Sequence, residues 1–82
     1  MPYLDEGVCV AAIGSMTMAI KGSRILAQGG ISAQIIALSA SETRRGCGYG
    51  VSYSCGKQYA VQQLFKNARF PVSQYLQRGE RL

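Results

Sequence analysis

The stretch Tyr49-Gly50-Val51-Ser52-Tyr53-Ser54 alternates large and small side chains, and it constrains the fold more than any other segment. Alternation at period two belongs to a strand with one packed face. Tyr49, Val51 and Tyr53 are predicted on that face, with Gly50, Ser52 and Ser54 on the other. A lone strand cannot bury its own apolar face, so the remaining segments must supply strands beside it and a layer above it.

Val8–Ile13 is a compact apolar run, β-branched at both ends, and suits a central strand. Gly14 breaks it, and Ser15 is placed to cap a helix, because its hydroxyl can accept from a free N–H in the first turn. Thr17, Lys21, Arg24 and Gln28 then recur at helical spacing as one polar stripe. Met16, Met18, Ala19, Gly22, Ser23 and Leu26 fall opposite and are expected to pack on the sheet. Gly29-Gly30 closes this helix. Ile31–Leu38 reads as a second strand, and Ser39–Gly46 as a polar, turn-like connection into the third.

Cys55-Gly56 opens a second helix with Ala60, Val61, Leu64, Phe65 and Ala68 on its apolar face. Pro71 restricts the residue before it and ends the helix near Arg69. Val72–Leu76 reads as a last short strand before a charged tail. The order strand–helix–strand–strand–helix–strand predicts a ferredoxin-like α/β (α+β) sandwich, a four-stranded sheet with both helices on one face. Eighty-two residues leave room for one domain, with its core at about residues 8–77.

Composition removes much of chemistry. There is no His, so neither a His-dependent triad nor a His-containing zinc site can form. The only acids are Asp5, Glu6, Glu42 and Glu80, three of them near the termini. A free-standing enzyme is therefore disfavoured, and neither a metal nor a cofactor is implied. The longest apolar runs fall far short of the ~20 residues of a membrane span, and Asp5 and Glu6 stand where a signal peptide would be positive. The net charge of +5 is spread from Lys21 to Arg81, with Arg44-Arg45 its one adjacent pair. Spread charge is a weak signal for nucleic acid, and it suits an acidic protein equally.

Cysteine usage carries the functional signal. The odd count of three cysteines argues against a disulfide framework and for a reducing, cytoplasmic setting, and the lack of a CxxC pair argues against structural zinc. Cys9, inside an apolar strand, is expected to act as a small hydrophobe. Cys55, at the start of a helix, is a second candidate thiol, because the helix N-terminus favours an anion. Cys47 lies in Thr43-Arg44-Arg45-Gly46-Cys47-Gly48-Tyr49. Gly46 and Gly48 leave its sulfur open to a partner, and the Arg44 and Arg45 guanidiniums favour thiolate over thiol. A glycine-rich connection in which Cys47 is merely a small residue has the same composition. A Cys47–Cys55 bond is excluded, because the intervening strand would hold the two α-carbons ~20 Å apart or more, against the ~4.4–6.8 Å of a disulfide.

The layout of Val8–Ile13, a helix ending Gly29-Gly30-Ile31, a second strand, and Gly46-Cys47-Gly48 leading into an alternating strand resembles the selenium/sulfur carrier protein-like family. That family groups small cytoplasmic bacterial and archaeal proteins with a Cys-Gly at the start of the third strand. The resemblance covers roughly residues 8–77 and carries the family's cysteine onto Cys47 and its glycine onto Gly48. It implies a carrier that holds sulfur or selenium as a persulfide or selenenyl-sulfide on Cys47. A donor persulfide enzyme and an acceptor protein would be its partners. Two features depart from the family's pattern. The loop reads Ser39-Ala40-Ser41-Glu42-Thr43 where members often have prolines and an Arg-Glu pair, and Cys55 supplies a second thiol.

Two rival readings share the topology. An RNA-recognition module has Lys/Arg-Gly-aromatic-Gly/Ala-aromatic in its third strand, and Arg45-Gly46-Cys47-Gly48-Tyr49 matches it except at Cys47, where an aromatic should stack a base. Cys9 stands where the first strand needs its own aromatic. Two missing platforms remove ~1–3 kcal/mol per stacked base, which leaves nucleic-acid binding disfavoured. A non-catalytic interaction or regulatory domain, homodimerising through the open sheet face, is the other alternative.

Overall fold

The computed structural model describes residues 7–39 and 48–78. Its elements are strand β1 (Val8–Gly14), helix α1 (Met16–Gln28), strands β2 (Gln34–Leu38) and β3 (Gly48–Ser54), a 3-10 turn (Cys55–Lys57), helix α2 (Gln58–Asn67) and strand β4 (Gln74–Arg78). The strands form one sheet in the order β2-β3-β1-β4, every neighbouring pair antiparallel. The protein is thus an α+β fold, and this strand order is that of a ferredoxin-like sandwich. Lead-in, tail and the 40–47 segment lie outside the described residues.

The alternation of β3 sets the layers. Val51 and Tyr53 pack with Cys9 and Ala11 of β1, Leu26 of α1, and Val61 and Phe65 of α2 in one buried cluster. Residues one position out of phase, Val10 and Ala12 with Leu38, form a second buried cluster on the other side of the sheet, flanked by Ile36 and Leu76. That second side is more apolar than the Gly/Ser face of β3 suggests, because β1 and β2 supply its side chains. Gly50 lets the strands close here. A Cβ on it would stand 2.5 Å from the Ala11 carbonyl oxygen and 3.0 Å from Leu38 Cδ1.

Both helices end in the same way. The Gly30 N–H donates to the Ala27 carbonyl and the Ile31 N–H to the Leu26 carbonyl, with Gly30 at φ 83°. At the end of α2, Arg69 donates to Lys66 and Phe70 to Phe65, with Arg69 at φ 54°. This paired bonding is the Schellman closure, and its usual apolar contact is present in each case. Ile31 is buried in the cluster that holds Leu26, and the Phe65 and Phe70 rings stack with centroids 5.0 Å apart.

The closures explain where sequence-based boundaries slip. Ile31 was expected to begin a strand, but it completes the α1 closure, so β2 starts at Gln34. Phe70, Pro71 and Val72 likewise belong to the connection after α2, and β4 begins at Gln74 rather than Val72. The Ser15 cap is present, its Oγ accepting from the Met18 N–H at 3.1 Å. Met16, expected on the packed face, is 47% exposed because it begins the helix before α1 settles onto the sheet.

Candidate functional site

The cysteines require the main correction. Cys9 and Cys55 are joined in a disulfide, their α-carbons 4.9 Å apart. Cys9 is therefore more than a small hydrophobe, Cys55 is not a free second thiol, and the odd cysteine count did not mean three reduced thiols. The reason is register. Cys9 lies opposite Tyr53 in the β1–β3 ladder, and the Cys55 N–H extends that pairing by donating to the Gly7 carbonyl at 3.3 Å. Cys55 comes two residues after Tyr53 and so inherits the helix-side direction of Tyr49, Val51 and Tyr53. Both sulfurs then meet under the start of α2.

Cys47, Arg44, Arg45 and Gly46 lie outside the described residues. Gly48 does not, and it fixes where that motif joins the sheet. It is the first residue of β3, opposite Leu38 of β2. A Cβ on Gly48 would lie 3.2 Å from the Gly14 carbonyl oxygen, so the chain passes close to the end of β1. Here the β1–β3 register shifts between Ala12 and Gly14, a bulge that turns the strand toward Ser15 and the first turn of α1. Gly48 thus enters the sheet beside the segment that starts α1. That first turn contains no acidic side chain, so its N–H groups and dipole present positive potential uncompensated from within the turn.

Cys55 marks the opposite end of β3. Its turn is held by Ser54 Oγ, which accepts from the Gly56 N–H at 3.4 Å, and Lys57 provides no side-chain cap to α2. The Tyr53 hydroxyl donates to Gln58 Oε1 at 2.6 Å, tying β3 to the first turn of α2. Burial, with a smaller contribution from neighbouring Tyr75, pushes the Tyr53 phenol well above its ordinary range. Burial also raises Tyr75.

The helical layer carries exposed cations. Lys21 and Arg24 on α1, and Lys57, Lys66 and Arg69 on or beside α2, are all exposed. All four acids of the chain, Asp5, Glu6, Glu42 and Glu80, fall outside the described residues. On the side of the sheet away from the helices, β1 and β3 present Val8, Val10, Ala12, Gly48, Gly50, Ser52 and Ser54, none of them aromatic. Among the described residues no helix is long and apolar enough to cross a membrane. No family model, curated protein or solved structure matches the chain.

Proposed function

We propose that the protein is a carrier of sulfur or selenium that holds the atom on Cys47, as its resemblance to the selenium/sulfur carrier protein-like family implies. The observation that carries this reading is the Cys9–Cys55 disulfide, which occupies two of the three cysteines and leaves Cys47 as the one outside that bond. In the transfer, the Cys47 thiolate attacks the terminal sulfur of a donor enzyme's persulfide. A new sulfur–sulfur bond forms on Cys47 as the donor's bond breaks, and the donor cysteine leaves as thiolate. The selenium version gives a selenenyl-sulfide in the same way. Arg44 and Arg45 favour the anionic forms, Gly46 and Gly48 leave the sulfur approachable, and the start of α1 beside Gly14 adds positive potential near the point where Gly48 joins the sheet.

The protein acts in this reading as a carrier between proteins rather than as a free-standing enzyme, in the cytoplasm and without a cofactor. The exposed cations of the helical layer favour donor and acceptor proteins with acidic surfaces. Nucleic acid is left aside, since the sheet face such modules use has no aromatic on β1 or β3 to stack a base. Homodimerisation through that face has limited support, because Val10, Ala12 and Leu38 are already buried within the chain.

The test is the pH dependence of iodoacetamide labelling at Cys47 in the oxidised protein, compared with a variant carrying Arg44→Ala and Arg45→Ala. The reading expects fast labelling at neutral pH that slows in the variant. Slow labelling of both, unchanged by the arginines, would remove Cys47 from the role.

A further inference from the structure

The disulfide is a chemical group that the carrier reading uses only by exclusion, and its two halves are unlike. Cys9 is 7% exposed and locked inside a central strand, paired with Tyr53 on one side and Gln77 on the other. Cys55 is half-buried and belongs to a three-residue 3-10 turn, outside the ladder proper. Of the two halves Cys55, packed against the core cluster from outside it, is the less enclosed, whereas Cys9 lies within that cluster. Gly56 follows Cys55 and is exposed, so the less enclosed half sits beside an open stretch of chain.

We propose that Cys9–Cys55 is a second reactive site, distinct from Cys47, at which the protein exchanges electrons with a dithiol reductant, and that Cys55 is the sulfur attacked. One thiolate of the dithiol attacks Cys55 Sγ. The Cys9–Cys55 bond breaks, Cys9 leaves as thiolate and takes up a proton, and a mixed disulfide joins the reductant to Cys55. The second thiolate of the reductant then attacks its own sulfur in that mixed disulfide and releases Cys55, which is protonated. Two electrons and two protons pass to the protein, and the dithiol becomes a disulfide. Attack in this order puts the less buried cysteine into the intermediate and returns the buried one to a place where a thiol sits well as a small apolar side chain.

The structure also shows what reduction releases. With the bond broken, β1 keeps its ladders to β3 and β4, but the turn before α2 loses its covalent tie to β1. That turn keeps the backbone bond from the Cys55 N–H to the Gly7 carbonyl and the Ser54–Gly56 and Tyr53–Gln58 hydrogen bonds, with no side-chain cap from Lys57 on α2. Disulfides of reducing compartments are typically transient or redox-sensing. An exchangeable bond at the start of α2 therefore fits a cytoplasmic setting as well as an oxidising one. The inference does not rest on the carrier reading, since it uses neither Cys47 nor its loop.

The test follows reduction of the Cys47→Ser protein by dithiothreitol in native buffer. Wild-type protein with Cys47 capped by iodoacetamide before reduction serves in parallel, should the serine variant fold poorly. The expected rate rises linearly with dithiothreitol concentration, and the product keeps its far-ultraviolet circular dichroism. Glutathione, a monothiol, is then used to trap the mixed disulfide, with the adduct expected on the peptide containing Cys55. A rate that levels off at the separately measured rate of global unfolding would overturn the proposal, as would an adduct on Cys9.

Discussion

Cys9 and Cys55 are separated by 46 positions in the chain and by 4.9 Å at their α-carbons, and a bond between their sulfurs ties the first strand to the turn that begins the second helix. A link over this separation removes much conformational freedom from the unfolded chain, about 4 kcal/mol in the chain-entropy treatment. For a domain of this size that is a large share of its stability. Urea unfolding with and without reductant should therefore show a midpoint that falls on reduction, with a loss of about 2–4 kcal/mol. The Cys9→Ser, Cys55→Ser double variant should be insensitive to reductant. An unchanged midpoint in the wild type would mean that the bond contributes nothing to the folded state.

Gly30 and Arg69 hold equivalent closing positions, and only one of them is suited to its backbone. A residue with a Cβ in the left-handed region is strained by about 1 kcal/mol or more. Arg69→Gly should stabilise the protein by about 0.5–1 kcal/mol, the relief of strain being partly offset by the freer unfolded chain. Gly30→Ala should destabilise it by about 1 kcal/mol purely through its φ of 83°, since nothing lies within 4 Å of the added methyl. Thermal melts of both variants check the pair, and the signs must be opposite.

These closures and the disulfide also measure what could be read from residues alone. The alternation of Tyr49–Ser54, the Ser15 cap and the polar stripe Thr17–Gln28 are local signals, and the elements they imply are present. Ile31 was misread because it is apolar for the sake of a helix closure, and an apolar residue after a glycine looks the same as the start of a strand. The disulfide is a matter of register between segments far apart in the chain. Its signal existed: the expected topology sets the first strand beside the third, and Cys9 and Cys55 share the parity of Ala11 and Tyr53. Parity places both on the helix side, yet only the β1–β3 register puts them within reach of each other. The roles proposed for Arg44, Arg45, Gly46 and Cys47 stand on chemistry and resemblance, with Gly48 as their one described neighbour.

Tyr53 makes stability depend on pH at the alkaline end. Its phenol ionises at higher pH in the folded protein than in the unfolded chain, whose value is near 10. The folded state thus keeps a proton that the unfolded state has lost, and stability must fall as pH rises above about 10. Below that pH the contribution is fully present. Tyr53→Phe should lose the hydrogen bond to Gln58, lowering stability at pH 7 by about 0.5–1.5 kcal/mol. It should also flatten the alkaline decline, read from urea midpoints between about pH 8 and 11, the range where phenols titrate. An equally steep decline in the variant would assign that slope to other groups.

The exposed lysines and arginines of α1 and α2 should bind anionic partners weakly and with a shallow salt dependence, because only a few counterions are released. Single-stranded RNA of any sequence should lose measurable affinity by about 0.15 M salt. Tight, sequence-dependent binding at that ionic strength, measured by fluorescence anisotropy, would favour the RNA-recognition reading over the carrier.

The central claim is that Cys47 accepts the transferred atom, and intact-mass spectrometry tests it most directly. The protein is incubated with a cysteine desulfurase and cysteine, or with selenocysteine in a parallel sample, and analysed without reductant. The account predicts a mass increase of one sulfur or one selenium atom, removed by dithiothreitol and mapped to the Cys47 peptide, with the Cys9–Cys55 bond intact and no increase in Cys47→Ser. An unchanged mass in the wild type, or an equal increase in the Cys47→Ser variant, would contradict it.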